Sequence, residues 1–187
     1  MICQGCHLVA GGFLCDRCRS GLRPAPERIL HGGIRVVAAF EHLGVARDLV
    51  LGLKYRGLTS FADLVVESIA PRVPAMPVVP IPRTWSRQIR YGIDPAREIA
   101  VRMARAVGCP VLDLLSPPIH APRRAGGDHH RLPPRFGMRR PPEGRIVLVD
   151  DVVTTGATIR SALSVLGRDR IALVIAANLA DTVSSQR

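Results

Sequence analysis

Ile146-Val147-Leu148-Val149-Asp150-Asp151-Val152-Val153-Thr154-Thr155-Gly156-Ala157-Thr158 is the stretch that decides the fold. Four apolar residues in a row read as a buried strand, and they deliver two adjacent carboxylates to its carboxyl end. A tight turn of Thr, Thr, Gly and Thr follows. It leads into a helix whose apolar repeat is Ile159, Ala162, Leu163 and Leu166. Open α/β sheets bind ligands just beyond the carboxyl ends of their strands. A helix N-terminus there presents free N–H groups and favours an anion. The turn therefore reads as a phosphate cradle, and the carboxylates as a hold for hydroxyl groups or a metal. The plainer alternative is a capped helix after an ordinary turn. Two adjacent carboxylates in a core crevice are costly without a partner, however, which favours a ligand.

Working outward, short apolar runs alternate with amphipathic stretches. Arg35–Phe40 reads as a strand, Val45–Tyr55 as a helix closed by Gly57, and Thr59–Ala70 as a second helix. Met76–Pro82 is a short strand hemmed in by prolines. Asp94 caps the next helix and Pro95 takes its first position. That helix carries Ile99, Met103, Ala106 and Val107, and Gly108 stops it. Pro110–Leu115 is a brief extended segment and Ile171–Ala177 a last strand. Strands alternating with helices imply a doubly wound parallel sheet. Residues 116–145, rich in Pro, Gly and Arg and without apolar periodicity, read as a long flexible loop, of a length that is usually functional or disordered.

Four of the five cysteines stand in the first 18 residues, as Cys3-x2-Cys6 and Cys15-x2-Cys18. Two such knuckles close a tetrahedral zinc site, structural because four thiolates leave no open position. The alternatives are two disulfides, disfavoured in a cytosolic chain, or unliganded thiols. Cys109 stands alone and reads as a small buried hydrophobe. Ser20–Gly33 is rich in Pro, Gly and Arg and reads as a linker. The expected division is a zinc element with its linker over 1–33 and an α/β domain over 34–187.

The chain has 187 residues and a formal net charge of +11, with Lys54 as its only lysine. A basic balance calls for anionic partners, either nucleic acid or phosphorylated small molecules. Aromatic residues make up 4% of the chain, which argues against a base-stacking surface of the RNA-recognition type. No apolar run is long enough for a membrane span, and no secretory signal is read at the start, so a cytoplasmic location is expected.

The quoted stretch resembles the phosphoribosyl pyrophosphate signature of type I phosphoribosyltransferases. The wider chain resembles one branch of them, the ComF family (competence protein F, or double zinc ribbon and phosphoribosyltransferase-domain proteins). The four-cysteine element, Leu53-Lys54-Tyr55-Arg56-Gly57, Val79-Pro80-Ile81-Pro82 and the basic stretch from Arg83 to Asp94 carry that likeness. The chain departs from the family at Asp94 and Pro95, where Asn and Gln are usual. In Arg123–Leu132 it lacks the family's Thr and Gln. The resemblance implies an open parallel sheet flanked by helices, with a small zinc element. It implies that Asp150 and Asp151 hold the ribose hydroxyls, and that Thr154, Thr155, Gly156, Ala157 and Thr158, after Val152, wrap the 5-phosphate. Arg83, Arg123 and Arg124 would meet the diphosphate with Mg2+, while Cys3, Cys6, Cys15 and Cys18 would hold Zn2+. The expected ligand is phosphoribosyl pyrophosphate or another ribose 5-phosphate compound, with transfer to an unnamed acceptor in nucleotide metabolism. Two other function classes stay open. One is a non-catalytic protein handling single-stranded DNA with the competence machinery during DNA uptake. The other is a phosphoribosyl pyrophosphate sensor. Type I members often form homodimers.

Overall fold

The structure is a computed structural model that describes residues 1–30, 32–118 and 134–180. In chain order the helices are α1 (Asp16–Ser20), α2 (Gly44–Arg56), α3 (Ser60–Ile69), α4 (Trp85–Tyr91), α5 (Pro95–Val107) and α6 (Ala157–Leu166). The strands are β1 (Arg28–Leu30), β2 (Ile34–Glu41), β3 (Val78–Pro80), β4 (Leu115–Ser116), β5 (Gly137–Met138), β6 (Ile146–Val153) and β7 (Ile171–Leu179). Local chemistry sets most boundaries. Asp94 accepts from the Arg97 N–H at the start of α5, with Pro95 beside it, and Gly57 and Gly108 close α2 and α5 in left-handed conformations.

The main sheet has the order β1-β2-β7-β6-β3. The pairs β2–β7, β7–β6 and β6–β3 are parallel, and β1 pairs antiparallel with β2. The expected open parallel sheet flanked by helices is present, with one antiparallel strand added at its edge. Arg28–Leu30, inside the segment read as linker, forms the antiparallel strand. It is three residues long and leaves little periodicity to read.

Alternation along the strands builds two cores. Val37, Ala39, Val147, Val149, Leu173 and Ile175 face α2, α3 and α5, where Leu49, Leu53, Phe61, Ile99 and Met103 are fully buried. Val36, Ala38, Leu148, Val174 and Ala176 face α6, through Ile159, Ala162 and Leu166. Each fully buried aliphatic side chain contributes about 1.5–3 kcal/mol. Cys3, Leu14 and Cys18 belong to the α2-side core, so the cysteine element is rooted in the body of the protein. Cys109 is half-buried rather than buried, because it lies just past the end of α5. No described helix is long and apolar enough to cross a membrane.

Parallel pairing brings the carboxyl ends of β2, β7, β6 and β3 to one edge of the sheet. Glu41 and Val153 both register with Leu179, and Pro80 registers with Val149. The candidate site is built on that edge.

Candidate functional site

β6 runs four residues beyond the apolar run that announces it, so Asp150 and Asp151 are strand residues rather than turn residues. Asp150 follows Ile146 and Leu148 inward and is only 9% exposed. Its Oδ1 accepts the Asp151 N–H at 2.8 Å. Burial first, and then the neighbouring Asp151 charge, push its carboxyl up to about 7. Asp151 is half-buried, and its Oδ1 lies 3.1 Å from Lys54 Nζ in the last turn of α2. The site thus joins one inward carboxylate to a second that is charge-paired.

The bend after β6 is held from behind. Arg28 Nη1 on β1 donates to the Thr154 carbonyl at 3.2 Å and to the Ala180 carbonyl at 3.0 Å. Arg160 Nη1 donates to the Thr155 carbonyl at 2.7 Å. Gly156 is the N-cap of α6 with φ +74, and no side chain caps the helix. The left-handed backbone angle calls for glycine at Gly156, and a Cβ there would also come within 2.9 Å of the Leu30 side-chain end. Thr154 and Thr155 are exposed and Ala157 and Thr158 half-buried. The bend's carbonyls are engaged, Thr154 and Thr155 are exposed, and no side chain caps the first-turn amides. That is the chemistry of an anion cradle.

Arg83 stands on the other side of the carboxylates. Its Nη1 donates to the Lys54 carbonyl at 2.8 Å and to the Ile93 carbonyl at 3.0 Å. Its guanidinium lies 5.7 Å from the Tyr55 ring centre and 5.2 Å from that of Tyr91, and the two rings meet edge-on. Its own N–H donates to Asp94 Oδ2 at 3.0 Å, and Asp94 Oδ1 takes the Arg97 N–H. Burial raises the Asp94 carboxyl, and those two N–H donors partly offset the rise. Arg83 therefore ties the end of α2, which carries Lys54, to the start of α5. Arg123 and Arg124, expected beside it, lie outside the described residues.

The sulfurs of Cys3, Cys6, Cys15 and Cys18 all lie within 4.8 Å of one another. Cys6 Sγ and Cys15 Sγ are 3.7 Å apart. A tetrahedron with Zn–S bonds of about 2.3 Å has edges of about 3.8 Å, whereas a disulfide needs about 2.05 Å. No disulfide is present among the described residues. The chain around the thiols is shaped to fit. The Cys15 N–H points at Cys3 Sγ at 3.3 Å, and a Cβ on Gly5 would come within 2.8 Å of Cys18 Sγ. Backbone N–H groups, chiefly that of Cys15, lower the Cys3 thiol to about 6, while burial lifts Cys18 to about 12. The four thiols can hold a metal ion such as zinc. His7 is exposed, at φ 61, and stays outside the cluster.

Three residues at the site escaped the sequence reading. Arg28 sat in the supposed linker, and His42 gives no local signal. Asn178 is a fully buried amide in an otherwise apolar strand. A polar residue at the end of a central strand was the signal that would have marked it.

No protein-family model and no curated protein sequence matches the chain. Among solved structures it is similar to orotate phosphoribosyltransferase from Aeropyrum pernix, with 18% identity, a TM-score of 0.39, and coverage of 89% of this chain and 91% of that one. It is also similar to adenine phosphoribosyltransferase from Leishmania tarentolae, with 15% identity, a TM-score of 0.39, and coverage of 72% and 74%.

Proposed function

We propose that the chain is a phosphoribosyltransferase-like protein of the ComF type that binds phosphoribosyl pyrophosphate at the carboxyl edge of its sheet. The observation that carries this reading is the buried Asp150 carboxylate beside a bend whose helix N-terminus no side chain caps. Asp150 and Asp151 take the 2- and 3-hydroxyls of the pentose. Thr154–Thr158 take its 5-phosphate through backbone N–H groups and hydroxyls. An oxygen-only donor pair suits a hard cation, so the same carboxylates would hold Mg2+ arriving with the diphosphate. That ion supplies charge neutralisation of the leaving group. Lys54 balances Asp151 when the site is empty, and Arg83 fixes where Lys54 stands. The four cysteines would hold Zn2+ as a structural ion, since their set leaves no position open. Transfer would break the bond from C1 to the diphosphate oxygen and form one from C1 to the acceptor, the bonding pair leaving with the diphosphate.

Calorimetry of the full chain with phosphoribosyl pyrophosphate and Mg2+ tests the reading. Binding with a Kd of about 1–100 μM is expected, weakened at least about 100-fold in Asp151→Ala, where its hydroxyl contact, its share of the cation and the Lys54 pairing are lost. Absence of binding to the wild type would end the proposal. Diphosphate release measured with nucleobases then separates a transferase from a sensor that binds without turnover.

A second reading has its own support. Trp85 is 45% exposed at the start of α4 and lines one cleft with Arg97 and Arg139. An aromatic plane among guanidinium groups suits the bases and phosphates of a single strand. Oligonucleotide binding that falls steeply between about 50 and 200 mM salt, and that Trp85→Ala weakens about 5-fold or more, is the expected result if DNA handling is the role. Salt-insensitive or undetectable binding would exclude it.

A further inference from the structure

On the α2 side of the carboxylates the sheet edge holds a second polar group. Asn178 registers with Val152 of β6 and Phe40 of β2, at the centre of the edge. Its side chain is fully buried. Nδ2 donates to the Ala46 carbonyl at 2.9 Å and lies 3.2 Å from His42 Nδ1, while Oδ1 has no partner among the described residues. The Ala46 carbonyl only accepts, which sets the amide's orientation: Nδ2 must face it, and therefore faces His42 as a donor too. His42 Nδ1 must then accept, so the ring is neutral and its proton sits on Nε2. The surroundings agree. Burial, and then Lys54 and Arg47 from α2, lower the His42 pKa, with Asp151 from β6 opposing them. The His42 backbone N–H is tied to the Leu179 carbonyl at 2.8 Å, which anchors the residue to the end of β7. Its Nε2–H makes no hydrogen bond among the described residues.

We infer that His42, oriented by Asn178, is the residue that donates a hydrogen bond from Nε2 to an uncharged heterocyclic acceptor, through a ring-nitrogen lone pair or carbonyl oxygen of that molecule. The inference rests on the pentose site proposed above. With the hydroxyls on Asp150 and Asp151, and the 5-phosphate in the bend on the α6 face, C1 of the ring lies opposite C4. It therefore turns toward the α2 face, where His42 stands. An anionic diphosphate is best met by cations. A donor kept neutral by an amide in front and by two cations beside it suits an uncharged lone pair instead. A buried amide with a spare oxygen weakens the strand it sits in, and the ring it orients gives it a role that offsets that cost. Asn178 acts here as a positioning residue.

The test uses the full chain saturated with Mg2+ and ribose 5-phosphate, titrated with adenine, hypoxanthine and uracil in separate calorimetric runs. At least one base should bind the wild type. That affinity should fall about 10-fold or more in His42→Phe, stay within about 3-fold in His42→Gln, which keeps a neutral donor, and fall about 3-fold or more in Asn178→Leu. Ribose 5-phosphate affinity is measured in every variant as the control. Nitrogen-15 spectra of the imidazole should show a protonated Nε2 and a bare Nδ1 in the wild type, and a mixture of tautomers in Asn178→Leu. If ribose 5-phosphate binds but no base does, or if His42→Phe binds the base as the wild type does, the inference is overturned while the pentose site stands. A protonated Nδ1 overturns it as well. If ribose 5-phosphate itself does not bind the wild type, the pentose reading falls and takes this one with it.

Discussion

Asp150→Asn is expected to give a protein that melts higher than the wild type at pH 8 and no longer binds phosphoribosyl pyrophosphate. In the folded chain Asp150 holds its proton up to about pH 7, because burial and the adjacent Asp151 penalise its charge, against an ordinary value of 3.8. Between those two values the folded state binds more protons than the unfolded state. Stability therefore falls as pH rises from about 4 to about 7 and levels off above. The displacement corresponds to as much as about 4 kcal/mol at pH 8. Asparagine keeps the shape and hydrogen-bonding capacity without the charge. Recovery of about 2–4 kcal/mol, or roughly 5–10 °C in Tm, is the expected gain, and it should vanish near pH 4. The cost falls on function, since an amide is a weaker acceptor for two sugar hydroxyls and offers a cation no charge. Thermal melts of both proteins from pH 4 to 8, with calorimetry at pH 8, provide the check. A variant less stable than the wild type at pH 8 would show that Asp150 is not held in a charge-hostile crevice.

Stripping the metal should do the opposite. Zinc removal by a strong chelator, or Cys18→Ser, is expected to lower Tm by about 10 °C or more and to loosen the end of α2 nearest the knuckles. The reason is where the thiols sit. Cys3 and Cys18 belong to the same core as Leu49 and Leu53, and Gly5 packs on both Cys18 and Val45. In peptides a structural zinc contributes about 10–16 kcal/mol of folding free energy. Here a preformed core carries part of the fold, and a loss of at least about 4 kcal/mol remains. Elemental analysis should find zinc near unit stoichiometry, and hydrogen exchange should quicken over residues 44–50. A metal-free preparation with an unchanged Tm would show that the four thiols serve no ion.

Much of this protein is legible locally. The caps at Asp94–Pro95 and the stops at Gly57 and Gly108 act within one helical turn, so a few residues suffice to place them. The carboxylate pair and the Thr-Thr-Gly bend were readable for the same reason, as were the cysteine knuckles, whose short spacings bring their ligands together. Periodicity places Ala106 on the apolar face of α5, and the residue is exposed. The helix instead buries Ala96, Ala100 and Ala104, because α3 and β6 pack on a neighbouring stripe that periodicity alone does not distinguish.

What stayed hidden depends on contacts between distant parts of the chain. Arg83, expected as a cation for the diphosphate, is held through Nη1 on two carbonyls, 29 and 10 residues away, which no local pattern announces. Arg28 reaches Thr154 across 126 residues, and Asn178 reaches His42 across 136. Composition, periodicity and motif spacing determined by themselves an alternating strand–helix chain with a four-thiol element and an acidic strand end beside a Thr-Thr-Gly bend. Each of those features is set by neighbours in sequence. Only the tertiary structure decided that β1 closes the sheet edge, that the cysteines share the main core, and that Lys54, His42 and Asn178 gather around the carboxylates. Parallel strands place their carboxyl ends side by side however far apart they lie in the chain, and no local pattern encodes who meets whom there.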